Sequence, residues 1–357
     1  MNVDKLIESI SNKSDRIGRK VNLMEVCGTH TMAAFRSGIR TRLPQQVRLL
    51  SGPGCPVCVT SDRYIDHAIE LAMTENRIIT TFGDMMRVPG SRGSLSLAKA
   101  RGKDIRVIYS PQQALVAARK NPGREVVFLG VGFETTTPLV AWTIQNAFSQ
   151  KIPNYSVLCA HKTIMPAMRA LCDSDDVRVD GFLCPGHVSV ITGAEIYQPL
   201  CREYHAPCVI AGFEPEDILL SIDMLLNQII SGEASVEIQY TRSVTTEGNK
   251  LAQDCVNDVF EPCDVPWRGM GVIPSSGLSV RSSYKGYDAE LKFPDIRVNE
   301  VKRDTGCRCG DVLRAVITPS ECGLFKKECT PDNPIGPCMV SSEGTCAAYY
   351  RYSRIDE

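Results

Sequence analysis

The chain has 357 residues, of which 43% are hydrophobic and 23% charged, and its formal net charge is −1 at pH 7. This composition is typical of a globular protein with more than one domain, and it gives nucleic acid or an anionic membrane surface no electrostatic basis for binding. No apolar run approaches the roughly 20 residues that span a bilayer, and residues 1–8 are too polar for a signal sequence. We therefore expect a cytoplasmic protein.

The first 220 residues repeat one unit, in which a continuous apolar run ends in a small, polar or glycine-rich loop and a helical pattern follows. Continuous apolar runs are typical of parallel strands that are buried on both faces. The predicted strands are 21–26, 47–50, 77–81, 105–109, 125–129, 156–159, 181–184 and 207–211. The predicted helices include 62–75, 111–119, 138–149 and 215–230. In such folds, the loops after the strands gather at one edge and build the site.

These units predict an α/β fold with two doubly wound parallel lobes. A single (β/α)8 barrel is the alternative, and the recurrence of Gly-Phe-Glu at 132–134 and 212–214 favours two related halves. After about residue 235 the pattern changes, and 264–290 is rich in Gly, Pro and Ser. We divide the chain into a first lobe (1–137), a second lobe (138–263) and a small loop-rich C-terminal domain (264–357).

Sixteen cysteines are too few for a disulfide scaffold but many for a cytoplasmic protein. In a reducing compartment, clustered cysteines indicate metal binding or thiol redox chemistry. Six of them lie in or beside apolar stretches, and we expect these to be small buried hydrophobic residues: Cys159, Cys172, Cys201, Cys208, Cys255 and Cys263.

Cys27 follows the first predicted strand and precedes a helix, with Gly28 for the turn and Thr29 placed to cap the helix. A helix N-terminus lowers the pKa of a nearby thiol, so Cys27 is predicted to be a nucleophile or a soft-metal ligand. His30 is a candidate ligand or proton shuttle, and a structural histidine is the alternative.

Cys55 and Cys58 form a C-x-x-C motif after Gly52-Pro53-Gly54 and just before a predicted helix. Two thiols at this spacing close a disulfide reversibly, which favours a redox-active dithiol. Half of a metal site is the competing interpretation, but the sequence has no second C-x-x-C.

Other strand-end loops supply polar candidates for the cleft, namely Asp84, Glu134 and His187. The segment 130–135 has two of the glycines of a dinucleotide-binding motif but lacks the third, and the chain has no P-loop. A nicotinamide or ATP-type cofactor is therefore poorly supported.

From Cys307 onward, six cysteines fall within 40 residues among prolines and glycines. Loop-rich segments of this size usually need a metal centre to fold. The wide spacing favours a [4Fe–4S] cluster, with zinc, disulfides or free thiols as alternatives. We choose as ligands Cys322, Cys329, Cys338 and Cys346, with Cys309 in reserve and Cys307 as a further possible replacement.

Taken together, these segments resemble the HypD family of hydrogenase maturation proteins. The matching stretches run in order along nearly the whole chain, and all the functional cysteines are kept. They are Cys-Gly-Thr-His at 27–30, Gly-Pro-Gly-Cys-Pro-Val-Cys at 52–58, Gly-Phe-Glu-Thr-Thr at 132–136, Pro-Gly-His-Val-Ser-Val-Ile at 185–191, Cys-Arg-Cys-Gly at 307–310 and Pro-Cys-Met-Val-Ser-Ser-Glu-Gly-Thr-Cys at 337–346.

The resemblance implies a cytoplasmic scaffold and redox centre that assembles the Fe(CN)2CO group of [NiFe] hydrogenases. It implies that Cys27 holds this transient iron together with a cysteine of the small partner HypC. It further implies that cyanide arrives from HypE, after HypF makes its precursor, and that the hydrogenase large subunit follows downstream. Cys55 and Cys58 match the redox pair of the family, which a [4Fe–4S] cluster would serve.

Two other classes of function stay open on the residues alone. One is an ordinary iron–sulfur oxidoreductase, although the sequence shows no flavin or substrate motif. The other is an adaptor whose metal is only structural. Whether the protein turns over as an enzyme is uncertain from sequence.

Overall fold

The computed structural model of the chain describes residues 3–176, 178–296, 298 and 305–353. Within these residues, the chain forms two parallel sheets flanked by helices, one antiparallel strand pair and a loop-rich C-terminal segment. The α/β prediction is therefore confirmed. None of the helices in this part of the chain combines the length and the apolar character needed to cross a membrane.

The strands are β1 Val21–Glu25, β2 Val47–Ser51, β3 Arg77–Thr81, β4 Ile105–Val107, β5 Glu125–Gly132, β6 Tyr155–His161, β7 Gly181–Pro185, β8 Cys208–Ala211, β9 Val236–Ile238, β10 Phe260–Trp267 and β11 Gly271–Val280. All eight predicted strands are present as β1 to β8, with ends that differ by up to three residues. Apolar periodicity locates strands well because each strand is buried on both faces.

The α-helices are α1 Val3–Ile17, α2 Gly28–Arg36, α3 Ile39–Arg42, α4 Pro56–Val59, α5 Asp62–Met73, α6 Leu95–Ala100, α7 Pro111–Lys120, α8 Thr137–Ser149, α9 Ile164–Cys172, α10 Gly186–Thr192, α11 Gln198–Tyr204, α12 Pro215–Ser231, α13 Lys250–Val259, α14 Ala289–Lys292, α15 Cys309–Leu313 and α16 Thr345–Tyr352. Short 3-10 helices cover Gly83–Arg87, Glu195–Tyr197, Ser282–Tyr287, Pro319–Glu321 and Pro337–Met339. The four predicted helices correspond to α5, α7, α8 and α12.

The described strands pair in the order β2-β1-β7-β8-β9 in the first sheet and β4-β3-β5-β6 in the second sheet. Both sheets are open, so the barrel alternative is wrong. The chain leaves the first sheet after β2, builds the second sheet, and returns at β7. In both sheets the second strand along the chain lies at the edge, next to the first.

The sheets do not follow the predicted domain limits. The limit at residue 137 lies between β5 and β6, which pair with each other, and the limit at 263 lies within β10. Which segments act as independent domains stays a prediction. The two Gly-Phe-Glu elements follow β5 and β8, the third strand of one sheet and the fourth of the other, so they do not occupy equivalent positions.

The segment around 264–290 differs from the predicted loop. β10 and β11 form an antiparallel pair that packs on the second sheet, where Thr163 N donates to Ser276 O (2.9 Å). At the turn of this pair, Arg268 donates from its backbone N to Val59 O (3.0 Å) and from Nε to Thr60 O (2.8 Å). The pair therefore connects the second sheet to the segment that follows Cys58.

One apolar cluster joins all parts of the molecule. It contains Leu50 of the first sheet, Ile79 of the second sheet and Cys338 of the C-terminal segment, all buried. The carboxyl ends of both sheets also contact the C-terminal segment, since Thr29 donates to Glu343 Oε1 (2.7 Å) and Ser341 donates to Asp84 Oδ2 (2.8 Å). The C-terminal segment therefore covers the loops after both β1 and β3.

Candidate functional site

Cys27 lies between the end of β1 and the first turn of α2, and its backbone is extended (φ −148°, ψ 125°). The loop of the C-x-x-C motif packs directly on it. Gly28 N donates to Gly54 O (3.2 Å), and a Cβ on Gly54 would overlap the backbone N and Cα of Cys27. This close approach requires glycine at position 54 and sets the distance between the two thiol-bearing loops.

The acidity of Cys27 differs from the sequence prediction. Its side chain is buried, and burial raises the pKa of the thiol to about 11, with the charge of Glu343 acting in the same direction. The backbone N–H of His30 lowers the pKa by less. Desolvation therefore outweighs the helix N-terminus, and the free thiol is protonated at neutral pH. Thr29, the expected cap of α2, instead binds Glu343.

His30 is fully buried behind Cys27. Its Nε2 lies 2.9 Å from Gly212 O and 3.2 Å from Ala211 O, so Nε2 carries the proton and donates. Burial lowers the pKa of His30 to about 4, and the ring is neutral. Its Nδ1 has no hydrogen-bond partner within the described residues. His30 therefore ties the loop after β8 to α2 and presents one unused nitrogen.

Phe213 joins His30 to His187 in a stack of three rings. The ring centroid of Phe213 lies 4.7 Å from that of His30 and 3.8 Å from that of His187. His187 follows β7 and is exposed, and its partial burial lowers its pKa. The stack therefore brings the loops after β1, β7 and β8 together, although only the two histidines stood out in the sequence.

Cys55 and Cys58 are free thiols whose sulfur atoms lie 2.6 Å apart. Cys55 caps α4, and its Sγ accepts from Cys58 N (3.3 Å). Cys58 is fully buried, and burial followed by its contact with Cys55 raises its pKa well above the ordinary value. The geometry fits a dithiol that exchanges between reduced and oxidised forms.

The C-terminal cysteines meet this dithiol. The Cys58 thiol lies next to the Cys338 thiol, and Cys338 in turn lies next to Cys309 and Cys346. The sulfur atoms of Cys307 and Cys309 are 3.1 Å apart. The N-terminal and C-terminal thiols therefore form one continuous group, which no local sequence pattern indicates.

A cavity within the C-terminal segment has cysteines and apolar side chains on its walls. Its cysteines are Cys307, Cys309, Cys322, Cys329 and Cys346. Its apolar lining includes Leu324, Phe325 and Met339. Cys338, one of the ligands chosen from sequence, lies against Cys309 and Cys346 of this lining as well as against Cys58. This choice of ligand stays a prediction.

The donor set of this cavity fits an iron–sulfur cluster by its chemistry. Thiolates in an apolar, water-poor surrounding are the ligands of such clusters. Among the described residues, no three His, Cys, Asp or Glu side chains converge on the position of a single metal ion.

Asp84 and Glu134 lie apart from the thiol group. Asp84 is exposed and binds Ser341. Glu134 Oε1 accepts from Ile164 N (2.8 Å) at the start of α9, and burial raises the pKa of Glu134 to about 7. The described contacts of Glu134 are with the second sheet and the elements next to it. A role of Glu134 in thiol chemistry stays a prediction.

Sequence reasoning missed two further residues at the site. Phe213 lies within the second Gly-Phe-Glu element, and Glu343 lies within the C-terminal stretch that holds Cys338 and Cys346. Their proximity to Cys27 depends on contacts between segments more than 180 residues apart in the chain, such as His30 with Gly212 and Thr29 with Glu343.

Known proteins match this chain along nearly its whole length. The HypD family model, described as "Hydrogenase formation hypA family", matches residues 1–353. The hydrogenase maturation factor HypD of Cupriavidus necator is 47% identical over 350 residues, covering 96% of this chain and 92% of that protein. Its counterpart in Escherichia coli is 45% identical over 353 residues (98% and 94%). A putative hydrogenase expression/formation protein of Methanocaldococcus jannaschii is 44% identical over 353 residues (99% and 98%).

Proposed function

This chain belongs to the HypD family of hydrogenase maturation factors, and from this premise we propose that it is the scaffold and redox centre on which the Fe(CN)2CO group is assembled. HypC is its partner in holding the iron, HypE delivers cyanide that HypF has prepared as a carbamoyl precursor, and the hydrogenase large subunit receives the product. These partners follow from the family resemblance.

One observation carries the proposal. Cys27 packs on the loop of Cys55 and Cys58, and Cys58 contacts Cys338 of the C-terminal segment. A place to hold iron, a pair of thiols and a cysteine-lined cavity are thus adjacent. A protein in which the metal was only structural would have no need of this continuity.

The iron is the cargo, and Cys27 is the residue proposed to hold it. Iron that carries cyanide and carbon monoxide is a soft centre, which thiolate ligands suit. Because burial raises the pKa of Cys27 to about 11, the thiol keeps its proton until the iron displaces it. The neutral ring of His30, in the first turn of α2, fixes the loop that presents this sulfur by its hydrogen bond to Gly212 O.

The C-terminal cavity is proposed to hold a [4Fe–4S] cluster, which supplies or accepts single electrons when bound. Its walls supply Cys322, Cys329 and Cys346 of the proposed ligands. Cys338, which lies against Cys346 and next to Cys58 of the dithiol, is the fourth, with Cys309 or Cys307 as a possible replacement.

The dithiol is proposed to supply two electrons when cyanide arrives as a thiocyanate on a partner's cysteine. Cys55 and Cys58 are oxidised to a disulfide, and the S–C bond of the thiocyanate breaks. The two thiol protons leave with the partner's thiol and with hydrogen cyanide, so atoms and electrons balance. A Cys55→Ala variant is expected to slow maturation of hydrogenase, and an unchanged rate would remove the dithiol from this step.

Infrared spectroscopy of the protein purified anaerobically with HypC tests the central claim. We expect bands of metal-bound cyanide and carbon monoxide in the wild type and in Cys255→Ala, a half-buried cysteine on α13. These bands should be absent from Cys27→Ala. Equal bands in Cys27→Ala would show that another residue holds the iron.

A further inference from the structure

Another cavity, of about 250 Å³, lies away from the thiol group described above. It is bounded by the end of β6, the start of α5, the β10–β11 pair and the first residues of α14. On its walls lie Arg63, His67, Lys162 and Cys263, together with the carboxylates of Asp264, Asp288 and Glu290. None of these residues has a role in the proposed function.

Lys162 is a buried cation on this wall. Its side chain is only 3% exposed, its ammonium donates to Pro266 O (2.9 Å), and it lies 5.4 Å from the ring centroid of Trp267. The titratable neighbours that affect its pKa are the thiols Cys159 and Cys263. Among the described residues, no carboxylate forms an ion pair with its ammonium group. Burial lowers its pKa to about 8, which leaves it largely charged at neutral pH.

A buried charge without a counter-ion is costly, so a carboxylate ligand would stabilise the Lys162 ammonium. The lining also includes Ser61, which caps the N-terminus of α5, and the exposed side chain of Arg63. His67 is also buried there, and its Nε2 has no hydrogen-bond partner among the described residues.

Acidic side chains also line the cavity. Glu290 Oε1 lies 3.5 Å from His67 Nδ1, and Asp288 accepts from the backbone N–H of Glu290 through one oxygen. These carboxylates disfavour a dianion such as phosphate, because like charges in a small cavity repel each other. They favour a ligand whose far end donates hydrogen bonds or carries a positive charge.

We propose that this cavity binds a small monocarboxylate with an amino group at its other end, such as a small amino acid. Lys162 and Arg63 hold the carboxylate, and Asp288 and Glu290 hold the amino group. The site lies beyond the proposed function and does not depend on it. Its wall includes Thr60 and Ser61, directly after the α4 helix of the C-x-x-C motif.

Titration calorimetry on the full chain tests the site, in a buffer free of carboxylates, with glycine, acetate and inorganic phosphate as probes. We expect saturable binding of glycine, binding of acetate at least 10-fold weaker, and no binding of phosphate. Lys162→Met should weaken glycine binding at least 100-fold and, since it removes an uncompensated buried charge, raise the melting temperature without ligand. Lys285→Met, at an exposed lysine, is the matched control.

A second variant keeps the test decisive if Lys162→Met does not fold. Glu290, whose side chain is 60% exposed, changes to Gln, which keeps an oxygen that can accept a hydrogen bond from His67. Glu290→Gln should weaken glycine about 10-fold and leave acetate unchanged. Glycine should also slow alkylation of Cys263 but not of Cys255. The proposal is overturned if no probe binds saturably, if phosphate binds best, or if neither variant alters glycine binding.

Discussion

The strand-end thiols and the C-terminal cysteines are held in place by different forces. Cys27 and Cys55 lie on loops fixed by backbone hydrogen bonds and sheet pairing, as in Gly52 N to Glu25 O (2.8 Å). The segment 305–353 has only short helices and turns in its described structure. There the cysteines make up much of the interior, since Cys309, Cys329, Cys338 and Cys346 are all at least nine-tenths buried beside a few apolar residues such as Leu313.

This difference separates a preformed site from one that depends on its ligand. Sheet pairing and apolar packing hold the first region whether or not a metal is bound. A loop-rich segment whose core is made of thiols gains much of its folding free energy from what the thiols bind. Cysteine is therefore a minor part of an otherwise complete core near the sheets, whereas it makes up much of the core in residues 305–353.

The largest expected effect is on the C-terminal segment. Cys346→Ala should abolish the absorbance of protein-bound iron and make residues 305–353 sensitive to limited proteolysis, while both sheets stay protected. Cys255→Ala, in the half-buried position on α13, should change neither property. Equal digestion of the two variants would show that the segment folds without its cysteines.

A buried ion pair offers the converse test in the first region. Glu25 is fully buried at the end of β1, and Arg40 binds it at 2.7 Å and also donates to Leu49 O (2.7 Å). Arg40→Leu leaves the Glu25 charge without its partner, which should lower the free energy of unfolding by about 4 kcal/mol in urea titrations. The double variant with Glu25→Leu should recover part of this loss. A change below about 1 kcal/mol for Arg40→Leu would contradict this account.

The contact between the two thiol-bearing loops is expected to be somewhat less costly to disturb. Gly54→Ala places a Cβ on the backbone of Cys27, and the overlap should lower the free energy of unfolding by about 3 kcal/mol and impair maturation of hydrogenase. Gly123→Ala is the matched control, because a Cβ there has no neighbour within 4 Å. Equal maturation of hydrogenase by Gly54→Ala and Gly123→Ala would show that the close packing of these loops is not needed for function.

The smallest effect is the contribution of one histidine of the second sheet to the pH dependence of stability. Burial lowers the pKa of His161, at the end of β6, to about 4 from 6.5. The unfolded chain therefore binds this proton more tightly, and stability present above pH 6.5 is lost as the pH falls toward 4. The loss should be about 2 kcal/mol at pH 5.

His161→Phe should remove this part of the pH dependence, as measured by the difference between urea unfolding at pH 7.5 and at pH 5. His205→Asn, at an exposed histidine with positive φ, is the control. An unchanged difference in His161→Phe would show that other buried groups dominate the acid response.

Much of the fold could be predicted because its signals are local. The apolar runs gave β1 to β8, and prolines and small residues marked the starts of α7, α8 and α12. The candidate residues at strand ends could be named for the same reason. The strand order could not be predicted, since β1 pairs with β7 although all the strands of the second sheet lie between them in the sequence. Local periodicity carries no information about which strands meet.

The sequence by itself determined the family, the α/β class and the candidate residues for the chemistry, because these depend on local patterns and on ordered motifs. Only the tertiary structure decided that Cys58 meets Cys338, that Phe213 joins two histidines, and that burial raises the pKa of Cys27 instead of lowering it. Burial and contact between distant segments arise from packing of the whole chain. No single stretch of residues specifies them.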